Sequence, residues 1–228
     1  MLAPQAYVDW INAHLGFNPR SQANSNALSD FVLDDLRQHC PAIANHLRTG
    51  QITPTKNADV LTRVASRNVD LVLAEKAPAA EVRAAVENKT IMTAHGKARK
   101  NRYGDIIAYS NHIHNHNREC IAAAIVVVNC SPAYANPDAF AKGIVRPRFN
   151  KLRVVAATLK NFANIPLRTN SDEPNDQPEA IAVFVVDDGE KPPKLVTGEL
   201  APQPGDPVHY DSFLARICDL YGRRFAGQ

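Results

Sequence analysis

Two stretches of this chain carry no polar side chain at any position, residues 121–128 (IAAAIVVV) and 181–186 (IAVFVV). Each falls far short of the roughly twenty apolar residues that span a bilayer, and each is rich in the β-branched side chains that suit a pleated strand. A strand that is apolar everywhere has no face to offer to water, so both must lie in a sheet that is covered on both sides. The rest of the chain therefore has to supply two layers of helices. With 228 residues there is enough chain for one such core, and the expectation is a single domain over 1–228.

Helical spacing provides the covering elements. Residues 6–15 and 26–39 read as helices, the second with Leu28, Phe31, Val32 and Leu36 on one face and Pro41 just past its end. A short amphipathic piece runs to Leu47, and Thr49-Gly50 supplies its C-terminal stop. A polar linker through Pro54 then closes a helical N-terminal segment at 1–55. Residues 69–73 and 82–86 read as the strands of a hairpin, joined by a turn-rich connection around Pro78. Residues 94–110 return to helical spacing, with Tyr103, Ile106, Ile107 and Ser110 on one face. Phe149, Leu152, Val155, Leu159 and Phe162 mark another helix, and 210–225 a last one. This order predicts an α/β fold with a mixed central sheet flanked by helices, a core at 60–130, and 131–228 completing the sheet. The Pro/Asn-rich stretches 131–147 and 169–178 read as loops within that domain.

Net charge is only +3, but its distribution is uneven. Arg83, Lys89, Lys97, Arg99, Lys100 and Arg102 face a single acid, Glu87, and 142–160 carries six bases and no acid. The stretch 172–190 carries seven acids and no base. One basic and one acidic side would orient a polyanion in the field of the molecule. Cys40, Cys120, Cys130 and Cys218 form no Cys-x-x-Cys pair, so the expectation is four buried or inert thiols, with neither a zinc knuckle nor a disulfide framework. Without a membrane-spanning run or a signal peptide, the expected location is cytoplasmic.

The chemistry concentrates at the hairpin. Alternate residues of a strand share a face, so Glu87 and Lys89 project together and Asn88 points the other way. Asp70, in the neighbouring strand, can bring its carboxylate beside that of Glu87. Two carboxylates in a partly dry site repel, and a hard divalent cation with oxygen ligands relieves them, which points to Mg²⁺ held by Asp70 and Glu87. Such an ion binds a phosphate and acidifies a water, while Lys89 adds positive charge beside both.

Asp70, then Glu87-Asn88-Lys89 at the end of an apolar strand, then a helix, resembles the PD-(D/E)XK nucleases of the restriction-endonuclease superfamily. The resemblance covers roughly 67–128, where that family has strand, strand, helix, strand; Val69 stands where the family's nominal proline would be. It implies a restriction-endonuclease-like sheet, with Asp70 as the metal-binding acid, Glu87 as the second acid and Lys89 as the catalytic lysine. It further implies a Mg²⁺-dependent DNA endonuclease, most like a type II restriction enzyme that cuts double-stranded DNA as a homodimer. A further acid on an N-terminal helix is common in the family, and Asp30 and Asp34, with Asp35 beside them, are the candidates here. Lys97, Arg99, Lys100, Asn101 and Arg102 on the following helix suit contacts to DNA phosphates and base edges. If that helix runs on, His112 and His116 of the His112-x-His114-x-His116 run share a face suited to zinc or nickel.

Overall fold

A computed structural model describes residues 1–14, 21–61, 65–76, 81–92, 94–131, 150–189 and 192–227. Three helices come first: α1 (Ala3–Ala13), α2 (Gln22–His39) and α3 (Pro41–Thr49). Then follow β1 (Ile52–Leu61), β2 (Ser66–Glu75), β3 (Val82–Ile91), α4 (His95–His116) and β4 (Ile121–Asn129). After these come α5 (Lys151–Ala163), β5 (Ala180–Asp187), β6 (Lys194–Leu195), a 3-10 turn at Gly198–Leu200, and α6 (Tyr210–Phe225). The strands form one sheet whose order follows the chain, β1-β2-β3-β4-β5-β6. β1, β2 and β3 form an antiparallel meander, β3, β4 and β5 run parallel, and β6 returns antiparallel to β5.

The two apolar runs lie where burial on both faces requires them. In β4, Ile121, Ala123, Ile125 and Val127 pack with Tyr7, Leu28, Leu36, Phe213 and Tyr221 from α1, α2 and α6. Its alternate residues, Ala124, Val126 and Val128, pack with Ile106, Val155 and Phe162 from α4 and α5. A third cluster joins Val69, Val72 and Ala85 to Tyr109 and Ile113 on the far half of α4. The sheet is thus the middle of three layers.

Gly50 ends α3 with φ 71°, the left-handed cap expected of Thr49-Gly50. Three expectations need correction. The polar linker is instead β1, an edge strand whose buried positions are confined to Ile52 and Val60 among its ten residues. Pro54 and Lys56 suit an edge, where one side of the strand has no ladder to satisfy. The helix at 94–110 continues to His116, because Ile113 carries its buried stripe one turn further. Finally, Cys40 and Cys218 are joined in a disulfide, their Cα atoms 4.9 Å apart, tying the end of α2 to the middle of α6. A separation of 178 residues hides such a pair from any spacing rule. Cys120 and Cys130 are buried free thiols, and burial pushes the Cys130 thiol up to about 11.

The charged runs are also less uniform than they read. Arg83 is buried and bonds Glu75, so it adds nothing to a basic surface. Within the acidic run Glu179 is wholly buried, with Arg168, Arg224 and His114 around its carboxylate, and Asp187 pairs with Lys151. The stretch 132–149, which holds most of one predicted loop and several of the predicted bases, lies outside the described residues. No helix among the described residues is long and apolar enough to cross a membrane.

Candidate active site

The β2–β3 ladder stops at Leu71 and Val86, and Asp70 is the first residue beyond it. On the other side of β2, Lys56 and Ala58 keep register with Leu71 and Val69, while Asn57 between them adopts φ 51°. Asparagine tolerates that left-handed conformation better than most residues. Val69 and Leu71 are two apart, yet they pack in different core clusters, so the strand rotates at Asp70. There the Asp70 carboxylate takes over from the ladder: its Oδ2 accepts the backbone N–H of Asn88 at 2.7 Å.

Alternation along β3 places the next two residues. Ala84 and Val86 face α1, α2 and α6, whereas Ala85 and Ile91 face α4. Glu87 and Lys89 share the second face, and Lys89 Nζ donates to Glu87 Oε1. Arg67 Nη2 lies 3.5 Å from the same oxygen, with its guanidinium 5.4 Å above the ring centre of Tyr109. Glu87 is only 4% exposed, and among the described residues its Oε2 meets no hydrogen-bond donor; the buried Tyr109 hydroxyl is likewise unpartnered. Burial pushes the Glu87 carboxyl above the usual carboxylate range; Lys89 opposes the shift and Asp70 adds to it. Asp70, Glu87 and Lys89 line one open hollow of about 230 Å³, with Ser25 and Asn68 at its wall.

Asn88 points to the opposite face, as alternation requires, and there it meets α2. Its Nδ2 donates to Ser29 Oγ at 3.0 Å and to Ser25 Oγ at 3.2 Å, and Ser25 Oγ in turn donates to Asp70 Oδ1 at 2.5 Å. Sequence reasoning singled out Asp70, Glu87 and Lys89, and the structure lines one hollow with all three. It missed Ser25, Ser29 and Arg67. Arg67 is the one with a local signal, standing three residues before Asp70; the two serines lie in the polar opening of a helix, where nothing periodic marks them.

The remaining candidates separate. Asp30 pairs with Lys56 at 2.6 Å and Asp34 with Arg37 at 3.1 Å, both on the solvent side of α2 and away from this hollow. Asp35 is buried and accepts from Tyr210 Oη and Ala3 N, a structural use. On α4, Arg102 donates to the Thr90 carbonyl at 3.1 Å and to Asp105, and with Asn88, Lys89 and Thr90 it lines a second hollow next to the first. Lys97, Asn101 and Arg102 line a third, so a groove of three adjoining hollows with shared lining residues follows β3 from Asp70 to the start of α4. Arg99 and Lys100 are not among its lining residues; among the described residues neither they nor Lys97 make an ion pair. His112 and His116 do share a face, but their rings meet the carbonyls of Val60 and Leu61, and His114 turns inward to Glu179. Among the described residues no three His, Cys, Asp or Glu side chains converge as a metal cluster. Comparison with protein-family models, curated proteins and solved structures gives no match to this chain.

Proposed function

We propose that the chain is a Mg²⁺-dependent DNA endonuclease of the PD-(D/E)XK type, with Asp70, Glu87 and Lys89 as its catalytic residues. In this reading it is most like a type II restriction enzyme, cutting double-stranded DNA at specific sites as a homodimer. The observation that carries the reading is the meeting of two carboxylates and a lysine where β2 and β3 part, with Glu87 Oε2 buried and unpartnered. The succession β2, β3, α4, β4, with β4 parallel to β3, supports it as the strand, strand, helix, strand order of the resemblance.

The donor set fits the metal. Mg²⁺ takes hard oxygen ligands, commonly one or two carboxylates with waters and substrate phosphate completing its shell, so two acids suffice. An ionised carboxylate that is buried with one bare oxygen is costly alone, and a cation beside it removes that cost. Asp70 and Glu87 would hold the ion; when bound, it supplies Lewis-acid polarisation of the phosphate and a more acidic water. Lys89, now paired with Glu87 Oε1, lies where its ammonium can stabilise the charge that builds on phosphorus and orient the attacking water. Arg67, on the same oxygen and propped on Tyr109, holds Glu87 in place from the other side. Lys97, Asn101 and Arg102 bind the strand along the groove, while Arg99 and Lys100 lend charge from outside it.

The test is incubation of plasmid DNA, unmodified and methylated, with the protein in Mg²⁺ and in EDTA, alongside Asp70→Ala and Lys89→Ala. Discrete fragments that need Mg²⁺ and vanish in both variants are the expected result. A Mg²⁺-dependent smear would replace the restriction enzyme by a nonspecific repair or defence nuclease, and DNA binding without any cleavage would replace it by a binding protein on this fold.

A further inference from the structure

Asp70 is held in an unusual way, and its restraint comes from outside the three catalytic residues. An aspartate carboxylate ordinarily rotates about two side-chain bonds, and each orientation presents different lone pairs to a ligand. Here each oxygen has its own donor, Ser25 Oγ on Oδ1 and the Asn88 backbone N–H on Oδ2. Each oxygen keeps a further lone pair, so the carboxylate is oriented and still able to ligate.

The direction of these bonds is fixed by Asn88. Its Nδ2 can only donate, and it donates to Ser25 Oγ, Ser29 Oγ and the Ser25 carbonyl. A serine hydroxyl has one proton; with Asn88 donating into Ser25 Oγ, that proton is left for Asp70. Asn88 thus reaches Asp70 twice, directly through its backbone and indirectly through Ser25. It also stands between Glu87 and Lys89 in β3, so one residue couples the orientation of the first acid to the positions of the other two groups.

We propose that Ser25 on α2, set by Asn88, is a positioning residue that orients the Asp70 carboxylate for a divalent cation. This rests on the nuclease reading of the site. Hydrogen-bond partners that orient a metal ligand typically change metal affinity or activity by about 10- to 100-fold when removed. Serine and threonine both keep the hydroxyl; alanine loses it and little else, since Ser25 lies in a helix that alanine favours.

The experiment titrates Mn²⁺ alone, read by electron paramagnetic resonance of the free ion, into wild type, Ser25→Ala and Ser25→Thr without DNA. Plasmid cleavage in Mg²⁺ follows on the same three proteins. Ser25→Ala is expected to bind Mn²⁺ about 10-fold more weakly and to lose a comparable factor in kcat, with KM for DNA unchanged and Ser25→Thr close to wild type. Wild-type behaviour of Ser25→Ala in both measurements would overturn the inference and leave the nuclease reading standing. So would an equal loss in Ser25→Thr, which would assign the effect to packing. A wild-type protein that neither binds Mn²⁺ nor cuts DNA would overturn the nuclease reading and this inference with it.

Discussion

Glu87 is where the demands of folding and of the proposed chemistry part. Its carboxyl is buried first of all, and although Lys89 and Arg67 favour the charged form, the folded state still raises its pKa. A carboxyl raised in this way contributes stability fully below its ordinary pKa, and that contribution is lost as pH rises through the folded-state value. Ionised and without a metal, the side chain therefore works against the fold relative to its neutral form. Glu87→Gln, which keeps the neutral form at every pH, should melt higher than wild type at neutral pH in EDTA. The difference should close below about pH 3, where the wild-type carboxyl is protonated in both states. Thermal melts across that range check it, and a lower melting temperature for the variant at neutral pH would show that the pairing with Lys89 outweighs burial. The position of Glu87 and Lys89 was legible in the sequence because a two-residue period suffices to put them on one face. The restraint on Asp70 was not, since it depends on where a ladder stops and on a helix 45 residues earlier in the chain.

Among the elements, α4 is the one that the proposed function places against DNA. Its first turns carry Lys97 and Lys100 exposed and Arg102 anchored to β3, so the cationic end of the helix lies beside Lys89. Lys97→Ala with Lys100→Ala should weaken DNA binding and flatten its salt dependence, by about one unit of log–log slope for the phosphate that Lys97 no longer neutralises and by less for Lys100 outside the groove. Binding isotherms at several salt concentrations measure this, and an unchanged slope would place the DNA elsewhere. The elements were readable to the extent that burial marked them. β4 and β5 are covered on both sides, and their polar residues, Asn129 and Asp187, stand only at their C-terminal ends, where they leave the pattern clear. β1 is partnered on one side only, and its start through Pro54 reads as linker because an edge strand may be polar without losing its single ladder. β6, two residues long, is too short to show any period.

At the scale of the whole molecule, the first and last helical segments close on each other. The Cys40–Cys218 bond, the Asp35 bond to Tyr210 and the bond of Arg224 to Glu179 all fasten α6 to parts made much earlier. Reduction of the disulfide should cost about 2–4 kcal/mol, seen as a lower urea midpoint with reductant that Cys218→Ser reproduces without it. Equal midpoints in the three conditions would mean that packing alone holds α6. The sheet order, by contrast, is simply the chain order. On a ribosome each strand would emerge to find its neighbour already waiting, so the sheet can be laid down progressively from β1 onward. What cannot be laid down early is the seal: until α6 is released, Glu179 lacks Arg224 and the side of the sheet that α1 and α2 cover lacks Phe213 and Tyr221. For an enzyme with the proposed activity, a copy made only as far as β6 would be a sheet without its lock, and a cell would meet the finished blade only after α6 had left the tunnel.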